Sequence, residues 1–207
     1  DQAVQELKGL KDQGFRAAPI RSIVRGLVLV GRFDQAIDFA EKVPAQQGWL
    51  KDQLILEIAR AVGQSSPDRS REFLDRVTQL AEKTHANTSK VILGPVWMWS
   101  AIAIARAETG DFKKALEIAR SNLSGDPDEF VPFEVTRLLI ALSDLQRKAG
   151  DIKASAATLD EAERLARKAK EQERTVFARL LRPLIEAKVK AGDIPGALAL
   201  AESIKDD

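Results

Sequence analysis

The sequence predicts an all-α chain. The expected architecture is an α-solenoid of about five antiparallel helix–turn–helix hairpins, preceded by one extra helix. Three observations predict it. First, a short pattern recurs: GRFDQAIDFAEKV from Gly31, GDFKKALEIARSN from Gly110, GDIKASAATLDEA from Gly150 and GDIPGALALAESI from Gly192. Second, each glycine follows an apolar segment with residues at three- and four-residue steps, as one helix face requires. Third, the turn chemistry fits. Glycine can end a helix in the left-handed conformation, and the next Asp (Asp111, Asp151, Asp193) suits the N-cap of a following helix.

The elements follow in order. Asp1 to Lys11 is expected to form the extra helix. The unit 15–46 pairs RSIVRGLVLV with the helix after Gly31, and Ala36 is its small packing residue. The spacing from Gly31 to Gly110 is 79 residues, against 40 and 42 for the later intervals, so a degenerate copy is expected between. DQLILEIARAV and SSPDRSREFLDRVTQLAEK supply it as the unit 47–84, with Ser66-Pro67 as its helix start. The unit 91–125 joins WMWSAIAIARAE to the Gly110 segment. The unit 127–170 begins at Asp126-Pro127-Asp128-Glu129, a helix cap, and joins RLLIALSDLQRKA to the Gly150 segment. The unit 174–207 joins LLRPLIEAKVKA to the Gly192 segment. A single hairpin cannot bury its apolar stripe, whereas stacked neighbours can, so the five units are read as one helical-repeat domain. Small residues at Ala36, Ala115, Ser155 and Ala197 let helices approach, and Trp99 and Phe112 fill the remaining gaps.

These residues resemble the tetratricopeptide repeat family. Around Gly110, Trp99, Ile102 and Ala103 stand at that family's W-x-x-L-G positions. Gly110 and Asp111 match its turn, Phe112 its aromatic and Ala115 its small residue. Leu139, Leu142, Ser143 and Ser155 match in the next unit, Leu181, Leu184 and Ala197 in the last, and Ile20, Ile23 and Ala36 in the first. The family's tyrosines are absent, Pro44 is the best candidate for its closing proline, and the units exceed the usual 34 residues. The resemblance implies a right-handed superhelix whose first helices line a concave groove for partner peptides. It implies no catalytic residue.

Composition narrows the function. The 207 residues carry 32 Lys and Arg against 31 Asp and Glu, a formal charge of +1, so no nucleic-acid partner is expected. There is no cysteine and one histidine, His85, which removes thiolate chemistry and any multi-histidine metal site within one chain. No phosphate-binding glycine loop or nucleophile-elbow motif is present. No cofactor or metal is therefore expected. The apolar run Val91 to Ala105 is too short to span a bilayer and reads as a buried helix. The chain opens on Asp1, which leads to the expectation of a processed chain or a segment of a longer one. The sequence chooses no compartment.

The candidate site comes from the alignment. Positions expected to face the groove are Arg21, Arg25, Arg60, Trp97 and Ser100, then Arg137, Asp144, Arg147 and Lys148, then Arg179 and Arg182. Most are basic, and arginine forks suit carboxylates. An acidic peptide or protein segment is the expected partner, with phosphate or an anionic polymer as the alternative ligand, and Trp97 stands either as its apolar anchor or packed under the neighbouring unit. Asp144 and Glu186 interrupt apolar helices, either as groove residues or as partners of nearby bases. The bland alternative pairs the basic residues with carboxylates of second helices. His85 reads as a solvated loop residue and Trp49 as an edge of the core. The charged stretch Arg164 to Arg174 reads as a solvated face. The main expectation is a protein-interaction scaffold. The alternatives are an accessory segment of a larger protein, an all-helical enzyme with carboxylates in its cleft, and self-association through an uncapped end.

Overall fold

A computed structural model describes residues 13–44, 47–65, 67–85, 93–121, 130–172 and 174–203. These residues form ten helices and no strand. They are α1 (Gln13–Leu29), α2 (Phe33–Glu41), α3 (Gly48–Gly63), α4 (Pro67–His85), α5 (Leu93–Glu108), α6 (Phe112–Ser121), α7 (Phe130–Lys148), α8 (Ile152–Gln172), α9 (Arg174–Lys190) and α10 (Ile194–Glu202). The expected helix from Asp1 to Lys11, the Ser66 start and the Asp126–Glu129 cap lie outside the described residues. The chain divides into two compact units, Asp1–Asn87 and Thr88–Asp207. The division falls between the second and third units of the sequence repeat.

The glycine turns are one device built four times. Gly31, Gly110, Gly150 and Gly192 have φ of 72°, 82°, 87° and 82°. At each, the glycine N–H donates to the carbonyl three residues back, and the next N–H donates to the carbonyl five residues back. For Gly110 these are Gly110 N to Ala107 O at 3.0 Å and Asp111 N to Arg106 O at 2.8 Å. This is the Schellman pattern, which satisfies the last carbonyls of a helix. The following residue then caps the second helix. The Oδ1 atoms of Asp111, Asp151 and Asp193 accept from the N–H groups of Lys114, Ala154 and Gly196 at 3.4, 3.0 and 3.0 Å. Arg32, at the Gly31 turn, makes no side-chain cap.

The degenerate copy solves the same problem without a left-handed glycine. Ser65 Oγ and Ser70 Oγ both donate to the Val62 carbonyl, at 2.7 and 3.0 Å. Gln64, which caps α3, keeps an ordinary right-handed φ of −84°. The serine hydroxyls thus take over part of the work of the left-handed residue.

In the first unit, α1 packs on α2 and α3, and both α3 and α4 pack on α2. In the second, α7 lies on both α5 and α6, α9 lies on both α7 and α8, and α10 packs on α9. The small residues sit at the centres of these joins: Ala36, Ala115, Ser155 and Ala197 are all buried. So are Ser70 in the degenerate copy and Trp99 on α5. Ser155 does more than leave space. Its Oγ donates to the Ser143 carbonyl at 2.8 Å, while Ser143 Oγ lies 3.0 Å from the Ser155 carbonyl. This knot fastens α7 to α8.

The turns give a first prediction. A Cβ at Gly110 would meet nothing within 4 Å, so Gly110→Ala should cost only the left-handed backbone strain, about 1–2 kcal/mol. Gly26 also has open space but lies inside α1 without a positive φ, so Gly26→Ala should stabilise by about 1 kcal/mol. Urea unfolding of the two variants should show opposite signs.

Candidate functional site

Counting back from each turn glycine puts the first helices in a common register. Trp97, Arg137 and Arg179 each lie 13 residues before their glycine. Ser100, Ile140 and Arg182 lie 10 before; Ile104, Asp144 and Glu186 lie 6 before; Glu108, Lys148 and Lys190 lie 2 before. Steps of three and four residues keep one helix face, so every set belongs to the same stripe. Trp97 is 44% exposed on it, while Trp99, two residues on, is buried. α7 packs on both α5 and α9, so the helices that carry the three stripes are neighbours within the second unit.

Between α7 and α9 the stripe opens into a cleft of about 250 Å3. Arg137, Asp144 and Arg147 line one wall, and Pro183, Glu186 and Lys190 the other. The Ser143–Ser155 knot forms part of its floor. Arg137 and Arg147 are ten residues apart, so the cleft runs about 15 Å along the helices. That length matches four or five residues of extended chain.

The charges in the cleft are largely managed by their own helices. Asp144 accepts from Arg147 Nη2 at 2.7 Å, and Lys148 Nζ lies 2.7 Å from its second oxygen. The hydrogen bonds from Lys148 and Arg147 hold the Asp144 carboxyl below its ordinary value. Arg182 Nε donates to Glu186 at 2.8 Å, which likewise lowers the Glu186 carboxyl. Arg137 lies 3.3 Å from Glu134 and over the Phe133 ring. One donor is left over. Arg147 Nε is buried and has no hydrogen-bond partner. On α5 the Ser100 Oγ is in the same condition.

Of the sequence candidates, the cleft gathers Arg137, Asp144 and Arg147, with Lys148 and Arg182 paired to its carboxylates. Trp97 and Ser100 lie on the adjoining stripe of α5, and Arg179 is exposed on α9. Arg21, Arg25 and Arg60 belong to the other unit. There Arg21 reaches across from α1 to Glu57 of α3 at 3.5 Å, and Arg25 and Arg60 are exposed. Sequence reasoning missed Pro183 and Lys190 as lining residues. The glycine register would have found Lys190, which stands where Lys148 does. Proline inside α9 was the signal at Pro183.

Three expectations are corrected. Arg137, Arg147, Lys148 and Arg182 pair with carboxylates of their own first helices, because partners three or four residues along the same helix are already in reach. Carboxylates of second helices are engaged elsewhere: Arg76 of α4 holds Asp34 and Asp38 of α2, and Arg120 of α6 holds Glu161 of α8. His85 is no solvated loop residue. It is the last residue of α4, and its Nε2 lies 2.7 Å from Oδ1 of the buried Asp52 on α3. Trp49, at the start of α3, is largely exposed and does not edge the core.

No protein-family model, curated protein or solved structure matches the chain.

The site is therefore read from its own geometry. No cluster of His, Cys, Asp and Glu among the described residues could hold a metal ion. No helix among them is long and apolar enough to cross a membrane.

Proposed function

We propose that the chain is a protein-interaction module of stacked helical hairpins, similar in plan to tetratricopeptide repeats. It holds an acidic peptide segment along the cleft between α7 and α9. The cleft itself carries this reading: an elongated groove between consecutive first helices, lined by Arg137, Arg147 and Lys190. Around it five bases (Arg137, Arg147, Lys148, Arg182, Lys190) meet three carboxylates (Glu134, Asp144, Glu186), so the surplus is positive. Basic ends at Arg137 and at Arg147 with Lys190 suit a ligand carboxylate at each end. The apolar walls at Ile140 and Pro183 suit an aliphatic side chain between them. The lowered Asp144 and Glu186 carboxyls favour binding over acid catalysis, since a general acid at neutral pH needs the opposite shift.

The test is fluorescence anisotropy with labelled peptides rich in Asp and Glu, each beside its Asn/Gln counterpart. Saturable binding of the acidic forms is expected, weakening with salt. The double variant Arg137→Glu/Lys190→Glu should lose at least about tenfold in affinity, or about 1.4 kcal/mol. Equal binding by the wild type and this variant would sink the proposal.

A further inference from the structure

The cleft between α7 and α9 is banded along its length. Counted from Arg137, Ile140 stands three residues on, Asp144 seven and Arg147 ten. The second wall repeats the order. Pro183 comes three residues before Glu186, and Lys190 four after it. Asp144 and Glu186 each lie six residues before their turn glycine, so the two walls are level at the acids. At about 1.5 Å per helical residue, the four bands fall at about 0, 4.5, 10 and 15 Å. Their order is base, apolar, acid, base.

The acid band separates this cleft from a uniformly basic groove, and its two members differ. Asp144 is closed on both sides: Arg147 reaches one oxygen and Lys148 the other, each at 2.7 Å. Glu186 is open. Its Oε1 accepts from Arg182 Nε at 2.8 Å, and its side chain stays 53% exposed on the cleft wall. A ligand carboxylate laid at this level would face two fixed carboxylates. A ligand ammonium or guanidinium would find Glu186 in reach. A site that discriminates between partners commonly does so through such a repulsive element beside its attractive ones.

Resting on the acidic-peptide reading of the cleft, we propose that Glu186 is its specificity-determining residue and that the ligand is a patterned segment, not a run of acids. Counted from the Arg137 end, that segment carries an acid first, an aliphatic residue second, Lys or Arg fourth and an acid fifth. Extended chain rises about 3.3 Å per residue, which sets these four positions at about 0, 3, 10 and 13 Å, against the four bands.

The probes are fluorescein-labelled peptides with blocked ends, of the pattern Asp-Leu-Gly-X-Asp and its reverse Asp-X-Gly-Leu-Asp, where X is Lys, Gln or Glu. Both orders are used because the chain can enter the cleft from either end. They are titrated by anisotropy against the full chain. In the better-bound order, affinity should fall from Lys through Gln to Glu, by at least about threefold overall. Glu186→Gln should bring the three within about twofold of one another, and Glu186→Lys should reverse their order. Glu186 is exposed, so circular dichroism should show native helix content in both variants. Equal affinity for the three peptides, lost together in Arg137→Glu/Lys190→Glu, would overturn the selectivity and leave the acidic-peptide reading standing. A preference for Lys that persists unchanged in Glu186→Gln and Glu186→Lys would overturn the role of Glu186. Absence of binding by every peptide would overturn both readings.

Discussion

Replacing His85 with alanine should destabilise the N-terminal unit by about 3 kcal/mol. The Asp52 side chain is buried, and its carboxylate accepts from His85 Nε2 at 2.7 Å. Removing the imidazole takes away the donor that this buried carboxylate has in the structure. The loss exceeds the worth of one hydrogen bond because a stranded acceptor keeps its desolvation cost. The comparison that separates these effects is the double variant Asp52→Leu/His85→Leu, which removes both polar groups together. It should recover most of the lost stability, because well-packed apolar pairs replace buried polar ones at little cost. Hydrogen exchange in α3 and α4 reads the change directly. A loss under about 0.5 kcal/mol in His85→Ala would show that the pair contributes no more than an exposed one.

Replacing Lys188 with methionine should cost the C-terminal unit about 2 kcal/mol. Lys188 is buried where α8, α9 and the cap of α10 meet. Its Nζ lies 2.9 Å from Glu163 and 2.8 Å from Asp193. Burial alone would lower the ammonium, but the hydrogen bonds to Asp193 and Glu163 outweigh it and raise its pKa above 10.5. Burial alone would raise Glu163, but bonds from Lys188 and Arg167 hold it below 4.5. The bond from Lys188, with that from the Gly196 N–H, holds Asp193 below 3.8. The depressed carboxyls contribute stability that is present above their ordinary values and lost as pH falls through the folded ones. The raised lysine contributes stability that is present below 10.5 and lost as pH rises past its folded value. The contribution of this cluster should therefore be flat between about pH 5 and 10 and fall on both sides. In Lys188→Met the plateau should drop and the acid limb should flatten, as followed by urea midpoints across pH.

How much of this was legible in the sequence depends on the distance over which each feature acts. The four glycine turns were legible because every group that makes them lies within six residues: Arg106 to Asp111, Lys188 to Asp193. The own-helix pairs Asp144–Arg147 and Arg182–Glu186 were equally readable, since three- and four-residue steps bring them together. The glycine register also placed Trp97, Arg137 and Arg179 on one stripe. The His85–Asp52 pair was not legible, because 33 residues and a whole hairpin separate its members. Lys188 reads as an ordinary solvated lysine until Glu163, on the preceding helix, is seen to face it. Trp49 was misread because its type favours burial, while its place at the start of α3 leaves it 61% exposed.

The repeated turn also bears on how the chain acquires its structure. Each Schellman turn closes two helices whose contacting residues are close in sequence, so little loop entropy is lost in joining them. Folding can nucleate at Gly31, Gly110, Gly150 or Gly192 independently and spread to the adjoining hairpins. The Gly110 unit, with Trp99, Arg106 and a capped α6, combines the most apolar first helix with a full set of turn bonds. The order in which the hairpins form should then follow the strength of their local closures and not their order along the chain.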